Sequence, residues 1–123
     1  MRTTLLLKLL AVPGAVRTVR RELRRHLGDE CGDAQLCASE LLSNVILHVG
    51  AGAPVTVQVT GGGDGRTWLA VTDPEPSALP VRRTACRDEE RGRGLALLEA
   101  VALRWGVRRG AGSKTVWCEL LRE

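Results

Sequence analysis

The stretch SELLSNVILHVG, Ser39 to Gly50, decides the fold. Its apolar residues cover most of a helical surface, which predicts a buried core helix. Three polar residues interrupt the pattern at intervals of four: Glu40, Asn44 and His48. Each step of four turns only about 40° around a helix axis, so these side chains form a polar stripe on one face. Buried polar groups without partners cost roughly 1–3 kcal/mol each, so the stripe has protein partners or faces a polar ligand.

The composition is that of one globular domain. The chain has 123 residues, 44% of them hydrophobic, which suffices for a core without metals or disulfides. We therefore expect a single domain over residues 1–123. Lys8 and Lys114 are the only lysines among 18 basic residues, and the net charge is +4. Such a charge suits a protein that handles phosphates or an acidic partner, and it does not by itself indicate direct nucleic-acid binding.

The cysteines favour a structural role. Cys31, Cys37, Cys86 and Cys118 form no CxxC pair, and the two histidines lie well apart from them. This spacing argues against a zinc site and favours reduced, mostly buried thiols in a cytoplasmic protein.

The first residues, MRTTLLLKLLAV, resemble either a signal peptide or an edge strand, and the charge of Lys8 favours the strand. No stretch approaches the 18 or more apolar residues of a membrane span, so we expect no membrane partner.

The periodicity of apolar residues predicts the element order β-α-α-β-β-α-β-β. In chain order, the elements are a strand at Thr3 to Leu10, a helix at Ala15 to Leu27 after a break at Pro13-Gly14, a helix from the cap Asp33 to about Val49, a strand at Val55 to Thr60, a strand at Thr67 to Thr72, an irregular stretch to Arg91, a helix at Gly94 to Leu103, and a hairpin of Trp105 to Arg109 with Lys114 to Leu121. Two strand pairs and three helices predict an α+β two-layer sandwich, a mixed sheet with helices on one face.

Two further features could carry chemistry. Asp73 comes just after the apolar strand residues WLAV, separated from them by Thr72, and the loop Arg91-Gly92-Arg93-Gly94 opens a helix. A helix N-terminus attracts phosphate, and glycines let the backbone approach it, although such a loop can also be a simple hinge. The arginines on the outer side of the first helix form either a solvated face or a docking face.

Together these motifs resemble a known family. Glu-x-x-x-Asn-x-x-x-His on a helix, Asp after a strand and Gly-x-Gly before a helix look like the Bergerat-fold ATP-binding domain of the GHKL superfamily. The closing segments GRGLALLEAVALRWGV and KTVWCEL resemble its anti-sigma-factor serine kinases and related histidine-kinase-like ATPases. The resemblance extends from about Ala15 to Leu121.

The resemblance implies roles for the polar stripe. Asn44 would hold Mg²⁺ against the phosphates of ATP. Glu40 would be the catalytic base that activates a serine hydroxyl or a water. His48 matches the motif and would have a supporting role in nucleotide binding.

It also implies roles outside that helix. Asp73 would accept a hydrogen bond from the adenine amino group and so select ATP over GTP. Gly92 and Gly94 would bring backbone N–H groups to the phosphates, and Thr115 would lie near the adenine–Asp73 network. Arg91 and Arg93 are candidates to reach the γ-phosphate, although Asp88, Glu89 and Glu90 are equally plausible ion-pair partners for them.

The function implied by the resemblance is that of an ATP- and Mg²⁺-binding regulator of bacterial transcription. It would bind a sigma factor and phosphorylate a serine on an antagonist protein, and it would form a homodimer as members of this family commonly do. A non-catalytic interaction module with the same fold is the alternative, because the family's Asp-x-Gly-x-Gly motif is Asp73-Pro74-Glu75-Pro76-Ser77 here, without glycine. A detached histidine-kinase ATPase domain is a third reading, disfavoured by the short chain.

Overall fold

The order of helices and strands follows the apolar periodicity of the sequence. A computed structural model describes residues 3–29, 31–61, 64–76 and 96–121. The elements are β1 (Thr3–Leu10), α1 (Pro13–Leu27), α2 (Gly32–His48), β2 (Pro54–Gly61), β3 (Arg66–Asp73), a helical segment α3 described over residues 96–101, β4 (Arg104–Gly110) and β5 (Ser113–Leu121). The predicted order of elements is confirmed.

The five strands form one sheet in the order β1-β2-β3-β5-β4. Every neighbouring pair of these described strands is antiparallel, so the predicted mixed sheet is corrected to an antiparallel one. The physical reason lies in the connections. The helix pair α1–α2 returns the chain so that β2 runs against β1. Connections of only a few residues join β2 to β3 and β4 to β5, and β5 lies between β3 and β4.

The helices cover one face of the sheet, as predicted. Alternate strand residues such as Val57, Leu69, Val71 and Cys118 are buried against α1 and α2. Residues of opposite parity on β3 and β5, such as Trp117, are largely only half-buried on the other face. The expected two-layer α+β architecture is therefore confirmed.

Helix α1 begins at Pro13, two residues before the predicted start. Proline fits the first helical position because that residue's N–H would have no intrahelical partner, so Pro13 opens the helix. The buried residues of α1 lie on one side. Its arginines are exposed on the other, namely Arg17, Arg20, Arg21, Arg24 and Arg25.

Helix α2 is the central helix of the core. Its N-cap is Cys31 and Asp33 lies in its first turn, so the expectation that Asp33 caps the helix is wrong. The carboxylate of Asp33 still lies at the positive end of the helix dipole. The turn after α2 contains Gly50 and Gly52 with positive φ, which glycine adopts without strain. No helix in the described part of the chain is long and apolar enough to cross a membrane.

Candidate functional site

A small cavity lies between α2 and the strands β3 and β5. Its lining residues come from these three elements and are Leu41, Asn44, Val45, His48, Val71, Asp73, Lys114 and Val116. Half of them are apolar and half are polar. The cavity volume is about 20 Å³, room for roughly one water molecule, so a larger ligand requires the walls to move apart.

The end of the cavity at the sheet contains a buried ion pair. Asp73 and Lys114 are direct cross-strand partners on β3 and β5. The Nζ atom of Lys114 lies 3.2 Å from Oδ2 of Asp73, and the two side chains are only 4% and 2% exposed. Charges this deeply buried occur in proteins almost solely in pairs, because an unpaired one loses its hydration without compensation.

The other carboxylate oxygen of Asp73 fixes the loop that follows β3. Oδ1 accepts a hydrogen bond of 2.9 Å from the backbone N–H of Glu75. Proline has no N–H, so Glu75 is the first residue after Asp73 that can donate one. The glycine-free sequence of this loop thus holds the Asp73 carboxylate in one orientation through an Asx-type turn.

Asn44 lies on the helix side of the cavity with 6% of its surface exposed. Its Nδ2 atom is buried and has no hydrogen-bond partner among the described residues. An unsatisfied buried donor is unusual in a native protein and calls for an explanation, such as a role in ligand binding. The amide of Asn44 is therefore available to a polar group that enters the cavity.

The other two residues of the polar stripe differ from Asn44. His48 is half-buried and lines the cavity one turn further along α2. Glu40 is half-buried one turn before Asn44 and is not among the lining residues. The structure thus places Asn44 and His48 with Asp73 in the cavity and leaves Glu40 beside it.

Thr115 lies on the opposite face of the sheet. Its Oγ1 is 2.7 Å from Oγ1 of its cross-strand partner Thr72, and both residues are half-buried. Successive strand residues point to opposite faces, so the cavity side of this position belongs to Lys114. The expected proximity of the Thr115 side chain to the Asp73 network is therefore corrected. Arg91, Gly92, Arg93 and Gly94 fall outside the described residues.

Lys114 is the site residue that the sequence interpretation missed. Two signals could have identified it. It is one of only two lysines among 18 basic residues, and it shares its strand face with the apolar Val116, Cys118 and Leu120. Every second residue of a strand faces the core, and Lys114 occupies one of these core-facing positions. A lysine there is predicted to be buried and therefore to pair with a buried acid.

Two buried thiols connect α2 and β5 beyond the cavity. Cys37 and Cys118 are free and buried and lie within hydrogen-bonding contact. The hydrogen bond to Cys37, together with burial, raises the pKa of the Cys118 thiol. Burial also raises the pKa of Cys31, which is likewise free. The predicted burial is confirmed for these three residues.

Comparison with known proteins identifies the family. Residues 9–119 match the family described as the histidine kinase-like ATPase domain. A relative from Streptomyces coelicolor, an uncharacterized protein, is 45% identical over 82 residues, which is 66% of this chain and 78% of the relative. The chain therefore belongs to the histidine kinase-like ATPase domain family.

Solved structures share the fold. The crystal structure of the RsbU and RsbW domains of Rv1364c from Mycobacterium tuberculosis superposes with a TM-score of 0.72 and 24% identity over 98% of this chain. This chain spans only 32% of that one. The histidine kinase domain of a blue-light activated histidine kinase from Erythrobacter litoralis is similar with a TM-score of 0.56 and 13% identity, covering 89% of this chain and 60% of the other. At these identities the likeness shows the fold alone.

Proposed function

We propose that this protein binds ATP with Mg²⁺ in the cavity between α2 and the β3–β5 strands. The observation that carries the proposal is the convergence of Asn44 and Asp73, which are far apart in sequence, on one buried cavity with apolar walls. The sequence motifs point to both residues. Membership of an ATPase-domain family supports the same ligand.

The donor and acceptor set of the cavity fits the base of a nucleotide. Leu41, Val45, Val71 and Val116 supply apolar surface for the faces of a flat ring. Asp73 supplies a carboxylate acceptor for an exocyclic amino group.

The polar stripe fits the phosphate end. Asn44 would hold Mg²⁺ through its amide oxygen. Its Nδ2, which has no hydrogen-bond partner among the described residues, would be free to donate to a phosphate oxygen. No cluster of three or more His, Cys, Asp or Glu side chains suited to a metal occurs within the described ranges, so Mg²⁺ would rely on phosphate oxygens for further ligands. When bound, Mg²⁺ would neutralise charge on the transferred phosphoryl group.

The reaction we propose is transfer of the γ-phosphoryl group to a serine hydroxyl. Glu40, one turn before Asn44, would accept the hydroxyl proton. Gly92 and Gly94 would supply backbone N–H groups to the phosphates, with Arg91 and Arg93 near the γ-phosphate, and His48 would support nucleotide binding. These roles rest on the family motif.

The partners we propose are a sigma factor and its antagonist protein, in a cytoplasmic setting, with a homodimer as the assembly. Support comes from the shared fold with a structure that contains an RsbW domain. The exposed arginines of α1 offer a positively charged surface for an acidic partner.

A second candidate function is a non-catalytic interaction module. The contacts of Asp73 favour this second function, because both of its carboxylate oxygens already have protein partners. The small volume of the cavity points the same way. In this case, the protein would act by docking alone.

Calorimetric titration of the protein with ATP, with and without Mg²⁺, tests the proposal. We expect binding that strengthens with Mg²⁺ and that weakens in Asn44→Ala. Gln58→Ala is the matched control, because Gln58 is an amide-bearing residue on β2 that is only half-buried and does not line the cavity. Absence of heat and of any thermal shift at millimolar ATP would favour the interaction module instead.

A further inference from the structure

Lys114 gives this cavity a second charged group beside Asp73. Its ammonium is buried on the same side of the sheet as Asn44 and within 3.2 Å of the Asp73 carboxylate. The cavity therefore presents a hydrogen-bond acceptor and a hydrogen-bond donor side by side. Lys114 opens the segment KTVWCEL, but the family resemblance gives it no role in ATP binding.

The ion pair does not by itself exhaust the hydrogen-bonding capacity of either group. A carboxylate has about four acceptor positions, and Asp73 uses one for the Glu75 N–H and one for Lys114 in the contacts described above. An ammonium has three N–H donors and rotates about its terminal bond, so it can donate to Asp73 and to a ligand together.

We propose that Asp73 and Lys114 together read the edge of an adenine base, a proposal that rests on the nucleotide function above. Adenine carries an amino group at position 6 and, separated from it by one ring carbon, the acceptor N1. The amino group donates to the Asp73 carboxylate, and Lys114 donates to N1. Lys114 is then a specificity-determining residue that contacts the ring directly.

This arrangement distinguishes adenine from guanine at two positions. Guanine has a carbonyl oxygen at position 6 and an N–H at N1, so both hydrogen-bonding groups are inverted. In the same orientation the oxygen would face the Asp73 carboxylate and the N–H would face the Lys114 ammonium. A site with buried polar groups rejects a ligand that leaves those groups unpaired. Asp73 alone would test only one of the two positions.

A ligand that lacks N1 tests the proposal on the wild-type protein. In 1-deaza-ATP a C–H replaces N1, while the amino group that Asp73 would bind remains. We expect 1-deaza-ATP to bind about tenfold more weakly than ATP, since one hydrogen bond from a charged donor is lost. The matched control is 7-deaza-ATP, which keeps N1 and should bind like ATP.

Variants of Lys114 assign the effect to this residue. In Lys114→Met the affinities for ATP and 1-deaza-ATP should become equal, and Lys114→Arg should keep a preference for ATP. Thermal unfolding checks that each variant is folded. If Lys114→Met does not fold, titrations of the wild-type protein and of Lys114→Arg with ATP and 1-deaza-ATP still test whether Lys114 contacts N1.

Two outcomes would overturn the inference, and they are distinguishable. Equal binding of ATP and 1-deaza-ATP by the wild-type protein removes the Lys114 contact and leaves the nucleotide function standing. Absence of binding by ATP itself overturns the nucleotide function and this inference together.

Discussion

Asp73 and Lys114 face each other across β3 and β5 as a buried ion pair, with 3.2 Å between Oδ2 and Nζ. The pair lies at the sheet end of the cavity. Val71, two residues before Asp73 on β3, and Val116, two residues after Lys114 on β5, line the cavity beside it. Its stability and its ligand chemistry are therefore linked, because any change to one charge exposes the other to an apolar environment.

We predict that Asp73→Asn destabilises the protein by about 3–5 kcal/mol, because it leaves the Lys114 ammonium buried without a counter-charge. Urea unfolding followed by circular dichroism would measure the change. Adding Lys114→Met to Asp73→Asn should recover much of the loss, since the uncompensated charge is then removed.

Asp29→Asn is the matched control for this prediction. Asp29 accepts a 3.0 Å contact from Arg24, but the two side chains are 84% and 68% exposed. Exposed ion pairs contribute little because water and salt screen them, so the same substitution should hardly change the urea midpoint. Equal losses in Asp73→Asn and Asp29→Asn would show that the Asp73–Lys114 pair is not effectively buried.

Asn44 yields a prediction in which stability and binding change in opposite directions. Replacing it with leucine, a residue of similar size, removes the unsatisfied Nδ2 donor and adds apolar contact to the cavity. Relief of a buried unsatisfied donor is worth about 1–3 kcal/mol, so Asn44→Leu should raise the melting temperature of the ligand-free protein by several degrees. Its thermal shift with Mg-ATP should disappear.

Gln35→Leu is the control for Asn44→Leu. Gln35 is also an amide on α2, but its Nε2 donates a 2.8 Å hydrogen bond to the backbone oxygen of Arg20. Leucine there removes a made hydrogen bond and should not stabilise the protein. If Asn44→Leu also fails to stabilise the protein, the amide of Asn44 has a hydrogen-bond partner in solution and is not free to bind a ligand.

The sequence predicts the fold well because the fold depends on local periodicity. The spacing of Val57 and Val59 specifies a half-buried strand, and the stretch from Ser39 to Gly50 specifies the central helix. The direction of strand pairing is not encoded locally. It depends on where β5 lies relative to β3 and β4, and for that reason the mixed sheet was a wrong prediction.

The sequence predicts only some of the residues that line the cavity. The alternation of strand residues between the two faces of the sheet explains why the others are missed. Asn44, His48 and Asp73 follow from motif spacing. The family resemblance places Thr115 near the Asp73 network. Thr115 lies one residue from the cavity-facing position, however, and one residue reverses the face of a strand. Lys114 occupies the cavity-facing position instead.

Glu40 carries a prediction about chemistry alone. Because it lies beside the cavity and does not line it, Glu40→Gln should bind Mg-ATP with unchanged affinity. If Glu40 is the base that activates a serine hydroxyl or a water, it should also speed transfer of the γ-phosphoryl group to water. In Glu40→Gln the single-turnover release of phosphate from γ-labelled ATP should then slow by about 10²-fold or more. Glu22→Gln is the control, as Glu22 is on α1 and pairs with Arg25. Unchanged release in Glu40→Gln would assign the proton transfer to another group.

The buried thiol of Cys118 predicts a loss of stability in alkaline solution. Its pKa is raised in the folded protein from the ordinary value of 9.0, first by the hydrogen bond to Cys37 and then by burial. The same hydrogen bond lowers the pKa of Cys37, so above pH 9 the folded pair retains one proton, on Cys118. Above pH 9 the unfolded chain therefore releases a proton that the folded protein retains. The unfolded state then binds fewer protons, so the free energy of unfolding falls as pH rises, by up to about 1.4 kcal/mol per pH unit for this thiol.

Urea unfolding between pH 8 and 10.5 would measure the slope, which Cys118→Ala should reduce. Leu120→Ala also removes a buried side chain from the same face of β5, but it has no titrating group and should keep the wild-type slope. Identical slopes in the two variants would mean that the Cys118 thiol ionises equally in the folded and unfolded states.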